Sequence, residues 1–266
     1  MLGKLIKYDL KALCRYVLPL FAVLIGSSIA LRICLEIFGF EGAGNNVFVS
    51  IIVFVVAFVY VISLLGCGFA VYIIISINYY KSLMSDRGYF YLTLPVTHDM
   101  HLVSKLLSGA LVIVLAAVAF ILSFLPLFVG NIALPDILKF VGDIWDLIRT
   151  YLLDKNGVLI IILTVLVALF GTQIVIYFCI TVGQLIPRHR ILGAFLALIG
   201  HTILSRTIAA IFTATGFKSL GNLYTIDIMA ATFSDIILAT ISYYLIIYAI
   251  EYVVTRLVLK YKLNIE

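Results

Sequence analysis

Residues 47–78 form a predominantly apolar run of 32 residues without a single charge, and that run decides what the chain can fold into. In a hydrocarbon core every backbone N–H and C=O must be paired, which leaves helices or closed barrels. A barrel strand would alternate apolar and polar residues over about ten positions, and this run does not alternate. As one helix it would reach about 48 Å at 1.5 Å per residue, well beyond a core of about 30 Å. It is therefore expected to project from the bilayer and lead straight into residues 79–97.

Comparable runs lie near 17–38, 102–129, 158–185, 190–215 and 234–258. Each has the roughly 20 residues needed to cross a bilayer, so six spans are predicted. The chain is 64% hydrophobic and 12% charged, against about 45–50% and about 25% in soluble domains. A soluble fold is excluded, and the fold class expected is an all-α membrane protein forming one transmembrane domain over residues 1–266. No internal repeat supports an inverted-repeat carrier. Cys14, Cys34, Cys67 and Cys179 fit no metal-ligand spacing and read as small apolar packing residues.

Lysine and arginine placement sets the expected orientation. With six spans both termini share a side, and that side holds Lys4, Lys7, Lys11, Arg15, Lys81, Arg87, Lys105, Arg188, Arg190, Arg256, Lys260 and Lys262. The other side holds Lys139, Arg149, Lys155 and Lys218, together with most of the loop acids. Both termini and residues 79–97 are thus expected in the cytoplasm. The net charge of +5 follows from this asymmetry and is no sign of nucleic acid.

Residues 1–15 read as an amphipathic interfacial helix. Leu2, Leu5, Ile6, Leu10 and Leu13 recur at helical spacing, while Lys4, Lys7 and Lys11 fall on another face, suited to anionic headgroups. The same residues, charged throughout, do not read as a cleavable signal peptide. On the far side, Ile137, Leu138, Phe140, Val141, Ile144, Trp145, Ile148, Tyr151 and Leu152 follow helical spacing. Short outer-surface helices are expected within 131–157.

Several charges fall inside or at the ends of the spans: Arg32, Glu36, His201, Arg206, Asp235 and Glu251. Each requires a partner or water there. Arg32 and Glu36, spaced i,i+4, are expected to pair with each other. Asp235 reads as a first-turn anion of the last span. Glu251 lies one turn from Thr255 and Arg256, where a local ion pair is expected. His201, Ser205 and Arg206 lie together in the fifth run and form a candidate intramembrane polar path. Metal evidence is weak, since His98 and His101 stand i,i+3 without a third ligand.

No catalytic constellation occurs, and no metal- or cofactor-binding site is expected in this chain. A phosphate-cradling G-x-x-x-x-G-K-[ST] is also missing, so any ATP-driven work needs another subunit.

Residues 79–97, Tyr-Tyr-Lys-Ser-Leu-Met-Ser-Asp-Arg-Gly-Tyr-Phe-Tyr-Leu-Thr-Leu-Pro-Val-Thr, are polar enough to lie outside the bilayer. They nonetheless carry Tyr79, Tyr80, Leu83, Met84, Tyr89, Phe90, Tyr91, Leu92 and Leu94, so something should cover them. Gly88 permits a sharp entry to a short helix. Pro95 cannot continue it and pushes Leu94 toward extended geometry. Thr97 suits the N-cap of the third span. The result is a short helix presenting Tyr89, Phe90 and Leu92 as an anchor set for a partner groove.

This segment, with Lys105 following it, resembles the signature of ABC-2 type transporter permeases, whose Gram-positive members often read D-E-G-Y-L-x-x-T-L-P-V-S here. The agreement takes in Asp86, Gly88, Tyr89, Thr93, Leu94, Pro95, Val96 and Thr97. Arg87 departs from the usual acidic residue.

The resemblance implies a multi-pass protein of the bacterial cell membrane, an exporter of an amphipathic or peptide-like substrate. It implies a coupling helix, made by Asp86, Arg87, Gly88, Tyr89, Phe90, Leu92, Leu94 and Pro95, that docks on a separate cytoplasmic ATP-binding subunit. That subunit would bind the ATP and magnesium. It further implies that the N-terminal helix lies beside the subunit and that two permease chains pair. The alternative is a non-transporting sensor or assembly subunit that uses the same segment to bind its partner.

Overall fold

The computed structural model describes residues 2–38, 47–85, 97–128, 139, 142–143, 145–146, 157–186, 189–221 and 233–261. Six long helices occur among them: α1 (Leu2–Phe38), α2 (Val47–Leu83), α3 (His98–Phe128), α4 (Gly157–Gly183), α5 (Arg190–Gly221) and α6 (Phe233–Tyr261). Each is long and apolar enough to cross a membrane. This is the all-α, six-helix pattern of a multi-pass membrane protein. The chain divides into two compact units, one of residues 1–78 and 103–139 and the other of residues 79–102 and 140–266.

In the first unit α1 buries one stripe, Asp9, Leu13, Val17, Phe21, Leu24, Ser28, Leu31 and Cys34, at the three- and four-residue spacing of a helix face. Helices in a membrane gain little from hiding apolar side chains from lipid, so packing and short polar contacts join them. Here Ser27 Oγ on α1 lies 2.7 Å from Ser63 Oγ on α2. Tyr60 on α2 reaches Ser123 on α3 at 3.2 Å and meets the Phe124 ring edge-on. Ser28 and Ser123 also donate to carbonyls three residues earlier, which satisfies their hydroxyls inside the helix.

The expected division of the N-terminus into an interfacial helix over 1–15 and a separate span does not appear as a break. α1 runs unbroken from Leu2 to Phe38, with Pro19 inside it. Pro19 lacks an N–H and removes one bond to the Arg15 carbonyl, but the helix continues. Lys4, Lys7 and Lys11 are exposed on it, as the amphipathic pattern requires. The Arg32–Glu36 pair is present at 3.7 Å.

In the second unit α4 packs against both α5 and α6. Close backbone approach at the α4–α5 turn depends on glycine. A Cβ on Gly183 would sit 2.7 Å from the Ala194 nitrogen, and one on Gly193 would sit 2.6 Å from the Gly183 carbonyl oxygen. Farther along α4, a Cβ on Gly171 would overlap the Tyr248 ring of α6.

Of the expected outer helices, the described residues Lys139, Gly142, Asp143, Trp145 and Asp146 are helical, and Trp145 is exposed. The rest of 131–156 lies outside the described residues. Cys34, Cys67 and Cys179 are buried and Cys14 half-buried, all as free thiols.

Candidate functional site

Asp86, Arg87, Gly88, Tyr89, Phe90, Leu92, Leu94 and Pro95 lie outside the described residues. Both flanks of that segment are described, and each is fastened to a long helix. Before it, α2 continues to Leu83, and Tyr79 on its last turns is fully buried. The Tyr79 ring stacks on Tyr177 of α4, with centroids 4.0 Å apart and planes 9° from parallel. Its hydroxyl lies 2.8 Å from Thr181 Oγ1, one turn farther along α4.

This corrects part of the sequence reading. Tyr79, Leu83 and Met84 were expected among the apolar residues awaiting a cover, but they are already buried within the chain. The helical period explains it: Val71, Ile75, Tyr79 and Leu83 continue one buried stripe of α2 at four-residue steps. The sequence carried that stripe, but the polar residues around Tyr79 concealed it.

After the segment, Thr97 caps α3 as expected. Its Oγ1 accepts from the Met100 N–H at 3.4 Å, the N-cap-to-N3 contact. Asp99, in the first turn, pairs with Arg256 of α6, Nε to Oδ1 at 2.7 Å. One turn on, Ser104 Oγ donates to Asp9 Oδ2 of α1 at 2.7 Å, and Lys105 Nζ donates to Asp9 Oδ1. Asp9, Ser104 and Lys105 are all buried. Lys105, assigned by the sequence to the same side as both termini, is half of an internal ion pair.

In the sequence Asp9 is masked by Lys4, Lys7 and Lys11 around it. The available signal was its position: Leu5, Asp9, Leu13 and Val17 step by four, so an acid occupies a slot on the apolar stripe. A buried acid on such a stripe requires a cationic partner.

The second polar group joins α5 to α6. His201 Nδ1 meets Glu251 Oε1, and the Tyr243 hydroxyl of α6 donates to the Ser205 carbonyl of α5. Glu251 thus has a different partner from the one expected. Residues five apart on a helix point about 140° apart, which turns Arg256 away from Glu251 and toward Asp99. Of the three candidate path residues, His201 and Ser205 are engaged across this helix pair, while Arg206 is exposed. Asp235 belongs to the first turn of α6; its side chain lies outside the described set.

Tyr248 of α6, within electrostatic reach of Glu251, stacks on Tyr244 with centroids 5.8 Å apart. Gln173 of α4 is fully buried, with its amide NH2 on the Leu169 carbonyl at 2.8 Å. Among the described residues no group of three or more His, Cys, Asp or Glu side chains is arranged to hold a metal ion. Comparison with protein-family models, curated proteins and solved structures found no match to this chain.

Proposed function

We propose that this chain is the permease subunit of an ATP-driven transporter of the ABC-2 type, working as an exporter of an amphipathic or peptide-like substrate. In this reading both termini and the Asp86–Pro95 segment face the cytoplasm of a bacterial cell. A separate ATP-binding subunit docks on that segment, holds the ATP and magnesium, and performs the hydrolysis. Two permease chains pair around the path.

One observation supports this reading beyond the sequence motif: the segment is anchored at both ends. A displacement of residues 86–96 reaches α4 through Tyr79, stacked on Tyr177 and bonded to Thr181. It reaches α6 through Asp99 and Arg256. An element that relays a push needs ties of this kind on its flanks, because a displacement travels through packed contacts.

The decisive test is copurification. Tyr89→Glu and Phe90→Glu each place a charge in the anchor set. Each variant should reach the membrane at normal levels and lose its copurifying ATPase. An ATPase retained at wild-type stoichiometry in both variants rejects the docking claim. In proteoliposomes holding both subunits, substrate-stimulated ATP hydrolysis separates a transporter from a non-transporting sensor.

A further inference from the structure

His201 and Glu251 meet well inside their helices. His201 stands eleven residues from the start of α5 and Glu251 ten residues from the end of α6, so each lies roughly 15 Å along the helix at 1.5 Å per residue. Imidazole Nδ1 contacts Glu251 Oε1. The other carboxylate oxygen, Oε2, is buried and has no hydrogen-bond partner among the described residues. The Glu251 side chain is 2% exposed and that of His201 16%.

An ionised carboxylate inside an apolar span is disfavoured unless a positive charge faces it. Of the groups packed around Glu251, Cys179 of α4 and Tyr248 of α6 lie within its electrostatic reach, and neither supplies a positive charge. Arg206 of α5 is exposed and acts on Tyr243. Among the described residues, His201 is the group whose charge acts on Glu251.

We propose that His201 and Glu251 form a binding site for a single proton within the membrane-spanning region. In the proton-poor state the neutral imidazole donates its Nδ1–H to the carboxylate, and the pair carries one negative charge. In the proton-rich state hydronium gives its proton to the Nε2 lone pair and leaves as water, while the Nδ1–H bond to the carboxylate is kept. The imidazolium then neutralises the carboxylate, and the pair carries no net charge. The His201 side chain, less closed off than the Glu251 carboxylate, is where the proton enters. Size selects a proton over a larger cation, because the carboxylate is closed off and no third ligand stands by among the described residues.

Occupancy has a mechanical consequence for α5 and α6. Protonation removes a net charge from their contact and strengthens it, whereas loss of the proton leaves the carboxylate uncompensated. The hydrogen bond from Tyr243 to the Ser205 carbonyl, one turn along α5, holds the same helices together as the pair loosens.

The test is a histidine titration in the full chain, reconstituted in lipid nanodiscs and labelled with 15N at its imidazoles. The signal lost in His201→Gln identifies His201. Between about pH 5 and pH 9 the wild-type His201 ring should take up one proton. Glu251→Gln should take up that proton only at a lower pH, because the carboxylate that favours imidazolium is gone. Glu251→Asp, which keeps the charge, should shift that uptake less. Equal midpoints in wild type and Glu251→Gln overturn the proposal, as does a ring that keeps one protonation state throughout.

Should Glu251→Gln not fold, infrared difference spectra of the wild type decide instead. A carboxylate band that persists while the imidazole titrates supports the site, and a protonated-carboxyl band rising in step with it overturns the site. The measurement needs no ATPase, so its outcome is separate from that of the Tyr89→Glu and Phe90→Glu copurification.

Discussion

Asp9 on α1 receives both Ser104 and Lys105 from α3, one on each carboxylate oxygen, with all three side chains buried. An ion pair in this setting contributes little net stability against an apolar pair of the same shape, but breaking it leaves a bare charge in the interior. Asp9→Leu and Lys105→Met should each destabilise the protein by about 3–5 kcal/mol. A double variant with apolar residues at both positions, Asp9→Leu with Lys105→Met, should recover most of that loss. Unfolding in mixed detergent micelles measures it, and strictly additive losses would show that the pair is not coupled.

The Tyr79 contacts with α4 separate into a ring and a hydroxyl. Tyr79→Phe keeps the stack on Tyr177 and loses the bond to Thr181, at a cost of about 0.5–1.5 kcal/mol. Tyr79→Ala loses the ring as well and opens a cavity, at about 3–5 kcal/mol. Thr181→Val combined with Tyr79→Phe should cost scarcely more than Tyr79→Phe alone, since each removes the same hydrogen bond. A double-mutant cycle with no coupling energy would assign the stability of this contact wholly to the rings.

Much of the architecture was legible in the apolar runs. The runs near 47–78, 158–185 and 234–258 match α2, α4 and α6 to within a few residues at most ends, because a membrane span is defined by local composition. The Arg32–Glu36 pair and the Thr97 cap were legible for the same reason, since partners three or four residues apart are fixed by helical geometry. The pairs that define the candidate sites were not. Asp9 with Lys105, His201 with Glu251 and Asp99 with Arg256 are each distant in sequence, and no local periodicity states which helix a charged side chain will meet. For Glu251 the sequence suggested Arg256 by proximity, and the helical angle overruled it.

Gly171 leaves room for the Tyr248 ring where any Cβ would overlap it. Gly171→Ala should force the ring or α4 to move, destabilising the protein by about 1–3 kcal/mol. The loss should be largely recovered in Gly171→Ala with Tyr248→Leu, which removes the part of the ring that clashes. Thermal unfolding of the four proteins in one detergent checks this, and a Gly171→Ala variant as stable as wild type would contradict the close approach.

Asp99 and Arg256 are half-exposed, with side-chain accessibilities of 38% and 53%, which distinguishes them from the buried pairs. Exposed ion pairs contribute about 0–1 kcal/mol, so Asp99→Arg should leave the unfolding midpoint nearly unchanged. Its effect belongs to function. If the segment before α3 relays a displacement to α6, the like charges in Asp99→Arg part the two helices and uncouple them. Substrate-stimulated ATP hydrolysis in proteoliposomes should then fall several-fold while basal hydrolysis by the partner persists. The exchanged pair, Asp99→Arg with Arg256→Asp, should restore most of the stimulation, because the attraction returns with reversed polarity. Stimulation that is normal in Asp99→Arg would remove α6 from the relay, and a loss that the exchange fails to rescue would assign the defect to Asp99 alone.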